Sequence, residues 1–125
     1  MMIRVIYSSL IVAALSAVLF LVPASAMTHP KLTGTVGKND AFIITLKNAS
    51  GTMVKTLKAG TYTFVIHDDS AIHSFGLDGP HGFAKDFTTV PFKGTKTAAV
   101  ALKKGKYKYY CKAHESTMFH FFTVK

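Results

Sequence analysis

The segment "YYCKAHESTMFHFF", from Tyr109 to Phe122, contains the only cysteine of the 125-residue chain. Cys111 is followed by His114 and Met118. Side chains at positions i, i+3 and i+7 can fall on one side of a single helical turn, and no glycine or proline between them prevents it. Thiolate and thioether sulfur favour copper, and imidazole accepts it readily. The spacing therefore predicts three converging metal ligands, although taken alone it is not specific.

The first 26 residues have the layout of a secretory signal peptide. Arg4 precedes an apolar run from Val5 to Val22, and Pro23 with the small residues 24–26 follows. The sequence thus predicts a signal peptide over residues 1–26 and one domain over residues 27–125. An uncleaved membrane anchor is the alternative, because the run is nearly long enough to span a membrane. We expect an exported protein, periplasmic or extracellular, or membrane-anchored if the segment is retained.

Export limits the roles open to Cys111. A single cysteine cannot form an internal disulfide, and an exposed thiol outside the cell would oxidise. The residue is therefore a buried structural thiol, a link to another chain or a metal ligand.

The chain is strongly basic, with fifteen lysine and arginine residues against six acidic ones and a formal charge of +9. Beyond residue 26 every basic residue is a lysine, and these lysines are spread along the chain. This pattern is typical of a solvated surface, or of attraction to an acidic partner or an anionic membrane. Nucleic acid is not an expected partner, since no arginine follows Arg4 and no binding motif is present.

Apolar residues recur at every second position in several short segments, which is typical of half-buried β-strands. These segments are residues 32–36, 42–46, 62–66, 98–102, 107–111 and 118–124. Their spacing predicts an antiparallel β-sandwich with a long connection from Asp78 to Gly94. Within this connection, Thr88 to Phe92 is a candidate short edge strand.

A trigonal copper site needs a second imidazole besides one thiolate, one imidazole and a weak axial methionine. His73, in "DDSAIHSFGL" from Asp68 to Leu77, follows the predicted strand at 62–66. We therefore expect His73 at the same end of the sandwich as Cys111.

Four segments carry a resemblance to a known family: "HSFGLDGP" at 73–80, "VPFKGTKT" at 90–97, "LKKGKYKYYCKAH" at 102–114, and Met118 with "FTV" at 122–124. In these segments the chain resembles the cupredoxins, the small plastocyanin-like type 1 blue copper proteins. The resemblance implies an all-β Greek-key sandwich of about seven to eight strands. It also implies electron transfer, without enzymatic activity, through one type 1 copper that cycles between Cu(I) and Cu(II). His73, Cys111 and His114 would be the equatorial ligands, and Met118 the axial one.

The chain departs from the family pattern at two positions. His120 stands where the family usually has a glycine, two residues after the methionine. Ser74 stands where the family favours asparagine, directly after the first histidine, and its hydroxyl is a candidate for a similar hydrogen bond beside the site.

The resemblance also implies that His114 is the electron port, framed by an apolar patch. Candidates for the patch are Phe75, Phe83, Phe119 and Phe121, each with a core role as the alternative. Surrounding lysines would select a redox partner with an acidic docking surface, and we expect a monomer.

The remaining histidines have separate interpretations. His67 is expected at a strand end beside a carboxylate, His81 in an exposed turn, and His120 either near the site or facing solvent. If cleavage follows Ala26, the new amino terminus, two amide nitrogens and His29 can bind Cu(II) or Ni(II) in a square plane.

Two other functions remain open. One is a copper-delivery protein that binds Cu(I) and passes it on, and the other is a metal-free β-sandwich interaction module with a buried cysteine. Cys111 and His114 form a conceivable nucleophile and base, but a thiol beside Met118 is better suited to a metal. The chain is too short for a multicopper oxidase, and no hydrolytic motif is present.

Overall fold

The computed structural model describes residues 28–125, and the predicted signal peptide over residues 1–26 lies outside the described residues. The described chain consists of nine β-strands, loops and three short 3-10 turns. The strands are β1 (Lys31–Val36), β2 (Ile44–Lys47), β3 (Thr56–Leu57), β4 (Gly60–Asp68), β5 (Gly76–Asp78), β6 (Ala84–Asp86), β7 (Gly94–Leu102), β8 (Gly105–Tyr110) and β9 (Phe119–Val124). Among these residues no helix is long and apolar enough to span a membrane.

The strands form two sheets, one with the order β2-β1-β4-β7 and the other with the order β3-β9-β8-β5-β6. The all-β sandwich predicted from the alternating pattern is confirmed. The expectation of purely antiparallel pairing was wrong for two pairs, because β1 is parallel to β4 and β3 is parallel to β9. Alternation reports which face of a strand is buried, but it carries no information about the direction of the neighbouring strand.

Six strands lie where the alternating pattern predicts them, whereas β3, β5 and β6 were not predicted. These three have only two or three residues each, too few for a periodic pattern to show. The predicted edge strand from Thr88 to Phe92 is wrong, since this segment is loop and turn and the edge strand is β6. Pro91 has no backbone N–H to donate to a neighbouring strand.

The core lies between the inner faces of the two sheets. The four-stranded sheet contributes Leu32, Val36, Ile44, Leu46, Phe64 and Ile66. The five-stranded sheet, together with Phe75 directly before β5, contributes Leu77, Tyr107, Tyr109, Phe122 and Val124. Aromatic rings stack within the second group, with centroids 5.6 Å apart for Phe75 and Tyr109 and 5.1 Å apart for Tyr107 and Phe122. The packed rings support the end of the sandwich where β8 stops and Cys111 begins a loop.

Candidate metal centre

The loop between β8 and β9 carries three of the predicted ligands. Cys111 directly follows β8, and a 3-10 turn over Lys112–His114 comes next. The N–H of His114 donates to the carbonyl of Cys111 at 3.1 Å, and the N–H of Met118 donates to the carbonyl of His114 at 2.9 Å. The N–H of Cys111 in turn donates to the carbonyl of Met118 at 3.0 Å. Backbone bonds therefore fix Cys111, His114 and Met118 relative to one another.

The fourth predicted ligand, His73, lies in the connection between β4 and β5. Its N–H donates to the carbonyl of Ser70 at 3.4 Å, and its side chain is fully buried. The connection brings His73 to the end of the sandwich that carries Cys111 and His114. Within the described part of the chain, these three residues are the group whose donor atoms lie close enough together to hold a metal ion.

The three donor atoms form a nearly isosceles triangle. Nδ1 of His73 lies 3.1 Å from Nδ1 of His114, and Sγ of Cys111 lies 3.7 Å from each of them. The centre of this triangle is about 2.0 Å from each atom, close to the ~2.0–2.3 Å bonds that imidazole nitrogen and thiolate sulfur make to a metal ion. The residues present therefore fit a small first-row metal ion.

Met118 completes the predicted set. Its side chain is buried, and its backbone is hydrogen-bonded to both Cys111 and His114. Met118 thus belongs to the same hydrogen-bonded loop as Cys111 and His114.

Two hydrogen bonds orient the donor atoms. Nε2 of His73 donates to the backbone carbonyl of Asp40 at 3.2 Å, which leaves the Nδ1 lone pair facing His114 and Cys111. The sulfur of Cys111 accepts the N–H of Ser74 at 3.3 Å and faces the Ser74 hydroxyl at 3.9 Å. The same hydroxyl oxygen accepts the N–H of Lys112 at 3.1 Å. Ser74 therefore makes the hydrogen bond beside the site that the sequence suggested for it.

The other histidines lie outside the cluster. Nδ1 of His67 lies 3.1 Å from the hydroxyl of Thr95, and His81 is exposed in the turn that follows β5. His120 is exposed on β9, with its ring 5.5 Å from that of Tyr109. The predicted amino-terminal metal site at His29 also requires residue 27, which lies outside the described residues.

The four phenylalanines proposed for an apolar patch around His114 do not form one surface. Phe75 is fully buried in the core, and Phe83 packs against the core. Phe119 and Phe121 are exposed on the outer face of β9, with Lys108 and Lys106 above their rings.

The aromatic ring beside the centre is Phe42, which the sequence did not single out. Its centroid lies 4.8 Å from the ring of His73 and 4.6 Å from that of His114, both in edge contact. Phe42 shares the parity of Ile44 and Leu46, so the alternating pattern placed it on the inner face of β2. It instead precedes the strand and is 57% exposed.

One buried carboxyl lies near the centre, at the end of β4. Asp68 is fully buried, and its Oδ2 has no hydrogen-bond partner among the described residues. Burial raises the pKa of Asp68 above its ordinary value, while the nearby Thr88 side chain and a hydrogen bond from the N–H of Ser70 oppose this shift. A repulsive contribution from Asp69 adds to the rise, and His73 opposes it.

Comparison with solved structures identifies the fold. A structure of reduced rusticyanin is 18% identical, with coverage of 76% of this chain and 78% of that one and a TM-score of 0.53. A second structure, of the copper protein rusticyanin, is 16% identical, with 76% of each chain covered and a TM-score of 0.52. The fold is therefore that of the cupredoxins, and the predicted cupredoxin-like Greek-key sandwich is confirmed.

No protein-family model matches the chain, and no curated protein sequence matches it. At 16–18% sequence identity, the similarity to these solved structures establishes the fold.

Proposed function

We propose that this chain is a mononuclear type 1 copper protein that transfers electrons, and that it is not an enzyme. The observation that carries the proposal is the triangle of one sulfur and two imidazole nitrogens, at 3.1 and 3.7 Å from one another. A thiolate and two imidazoles are the equatorial ligands of blue-copper sites.

The ligands we propose are His73, Cys111, His114 and, axially, Met118. A Cys/His₂ set by itself also suits zinc, but the thioether of Met118 is a soft ligand that favours copper. When bound, one copper ion supplies one-electron exchange between Cu(I) and Cu(II).

The protein's contribution is to hold its donor atoms in place. Asp40 fixes the tautomer and orientation of His73, and Ser74 donates to the sulfur of Cys111. Because these donors belong to loops that are hydrogen-bonded at the ends of packed strands, little rearrangement accompanies a change of charge. Small rearrangement favours fast electron transfer.

His114 is the proposed electron port. It is half-buried, whereas His73 and Cys111 are fully buried. A partner can therefore approach the centre most closely at the edge of the His114 ring. The excess of lysines favours a redox partner with an acidic docking surface, approached by a monomer of this chain.

Copper delivery and a metal-free interaction module are less well supported. A delivery protein has to expose its ligands to a receiving protein, but the sulfur of Cys111 and the ring of His73 are fully buried. A metal-free module gives no reason for one thiol sulfur and two imidazole nitrogens to converge within 3.7 Å of one another. We also propose that the protein acts in the periplasm or outside the cell, because its first 26 residues have the pattern of a signal peptide.

The test is the visible absorption of the purified protein after addition of Cu(II), beside the variant Cys111→Ser. We expect an intense blue band in the wild-type protein that is absent from the variant, because the band requires a copper–thiolate bond. Reversible bleaching by a reductant would support electron transfer over copper delivery. Absence of the band from the wild-type protein would refute the proposed ligand set.

A further inference from the structure

Phe42 occupies an unusual position for a large apolar side chain. It lies in the loop between the 3-10 turn Lys38–Asp40 and β2, and 57% of it is exposed. Its ring nevertheless contacts both imidazoles of the donor triangle, and those two rings lie 4.8 Å from each other. Core packing therefore does not account for its place, and contact with the two histidines does.

The burial of the donors defines how an ion reaches them. Cys111 and His73 are fully buried, so the half-buried ring of His114 marks the side of the triangle nearest to solvent. The Phe42 ring contacts the rings of both His114 and His73. The exposed Phe42 ring therefore lies between solvent and the parts of the two imidazoles that it contacts.

Hydrogen bonds hold the backbone around Phe42, whereas more than half of its side chain is exposed. The N–H of Gly37 donates to the carbonyl of Ile43 at 3.0 Å, closing the loop at its base. The Asp40 carboxylate accepts the hydroxyl of Ser70 at 2.7 Å, and the Asp40 carbonyl accepts Nε2 of His73. Movement at this place is consequently expected in the exposed side chain, on the fast time scale of rotamer changes, and not in the loop.

We propose that Phe42 is the gate to the donor atoms. With its ring against His73 and His114, it restricts the access of water and external ligands to the triangle. Rotation of the ring away from the two histidines admits the metal ion to donors that are already in place. The identity of the metal rests on the proposed function, but the gate itself concerns access to Cys111 and is a property of the metal-free protein.

The test uses alkylation of Cys111 by iodoacetamide in the metal-free full chain, followed by mass spectrometry at one fixed pH. We expect Phe42→Ala to react about tenfold faster than wild type, because local opening no longer has to move a ring. Phe42→Leu, which keeps part of the bulk, should give an intermediate rate. Ile43→Ala is the matched control, since Ile43 is 61% exposed and adjacent, and its rate should stay within about twofold of wild type.

Faster alkylation could result from an open gate or from a loss of global stability. Alkylation rates measured at urea concentrations below the unfolding transition distinguish these two causes. Alkylation through global unfolding rises steeply with urea, whereas alkylation through a local side-chain motion exposes little surface and does not. Val54→Ala, a change in the buried core, supplies the reference for global unfolding. In the copper-loaded protein, Phe42→Ala should also lose copper to a chelator about tenfold faster, for the same reason.

The gate would be refuted if Phe42→Ala and wild type reacted at equal rates. It would also be refuted if the faster reaction of Phe42→Ala depended on urea as steeply as that of Val54→Ala. Absence of a blue band from the wild-type protein would refute the proposed function and leave the alkylation result unaffected, so the two failures are distinguishable.

Discussion

Ser74 joins the two chain segments that form the candidate metal centre. Its N–H and hydroxyl face the sulfur of Cys111, and its oxygen accepts the N–H of Lys112 in the following loop. One small side chain therefore holds the His73 segment and the Cys111 loop together. Hydrogen bonds to a cysteine sulfur also tune the reduction potential of a blue-copper site.

Replacement of Ser74 by alanine should lower the reduction potential of the copper-loaded protein. The lost hydroxyl leaves more electron density on the thiolate sulfur, which stabilises Cu(II) relative to Cu(I). Loss of the bonded hydroxyl should also reduce the unfolding free energy by about 1 kcal/mol. Redox titration and urea unfolding measure the two effects. Ser50→Ala, at an exposed turn, is the control, and an unchanged or higher potential in Ser74→Ala would contradict the prediction.

Asp68 should make the protein less stable as the pH rises. Burial raises its pKa in the folded protein above the value of 3.8 that applies when the chain is unfolded. The folded state therefore binds the proton more tightly, and this contribution to stability is present below pH ~4 and lost as the pH rises through the folded pKa. Each pKa unit of the shift corresponds to about 1.4 kcal/mol.

The measurement is urea unfolding of wild type and Asp68→Asn at pH 4 and pH 7. Since asparagine does not ionise, the variant should gain stability relative to wild type between the lower and the higher pH. A difference in unfolding free energy that stays constant over this range would show that Asp68 does not titrate as inferred.

The residues of the candidate metal centre were not equally predictable from the sequence. The spacing of Cys111, His114 and Met118 indicated ligands that meet in one loop. The need of a copper site for a second imidazole indicated His73, and the resemblance added to it. Asp40, Ser70 and Phe42 carried no such signal, because their roles depend on a loop of left-handed backbone that brings distant segments into contact. In this loop Gly37, Asn39 and Asp40 have φ values of 71°, 56° and 58°.

At the scale of the strand, β9 shows how alternation separates core from surface. Phe122 is 2% exposed and stacks on Tyr107, whereas the preceding Phe121 is 47% exposed on the opposite face, beneath Lys106. The two phenylalanines are adjacent in one strand, so their difference isolates the effect of burial.

Phe122→Ala should lower the unfolding free energy by about 3–5 kcal/mol, because it leaves a cavity in the core. Phe121→Ala removes a half-exposed ring with a cation–π contact to Lys106 and an edge contact to Phe119, and should cost about 1 kcal/mol or less. Chemical denaturation of both variants tests this pair. Equal losses would place both rings in comparable surroundings and contradict the assigned faces of β9.

Strands were predictable where they are long enough to show a period. β4, β7, β8 and β9 have six to nine residues and were found from alternation, whereas β3, β5 and β6 are held by pairing with neighbours that the sequence does not reveal. For the same reason the parallel pairing of β1 with β4 was missed: it depends on how the chain crosses between sheets.

For the whole molecule, the class of fold followed from the succession of short alternating segments. The charge distribution is the other property of the whole chain that the sequence states directly. Fourteen lysines and six acidic residues follow residue 26, which gives a formal charge of +8 for that part of the chain. Such an excess attracts anions and repels cations over distances that dissolved salt controls.

Electron exchange with small reagents should reveal this field. For the Cu(I) form, we expect oxidation by anionic hexacyanoferrate(III) to slow by about tenfold between ~0.01 and ~0.5 M salt, because screening removes the attraction. Reaction with a cationic cobalt(III) complex should become faster over the same range, because screening removes the repulsion. Stopped-flow absorption of the blue band measures both rates.

A pair of charge variants tests the position of the electron port. Lys112 is the first residue of the 3-10 turn that ends at His114, and its side chain is 69% exposed. Lys55 lies at the other end of β9, where its carbonyl accepts a hydrogen bond from the N–H of Thr123. If electrons pass through His114, Lys112→Gln should slow the anionic reagent more than Lys55→Gln does, although both variants lose one positive charge. Equal slowing would mean that the net charge alone steers the reagent and that the exchange is not localised at the His114 end of the sandwich.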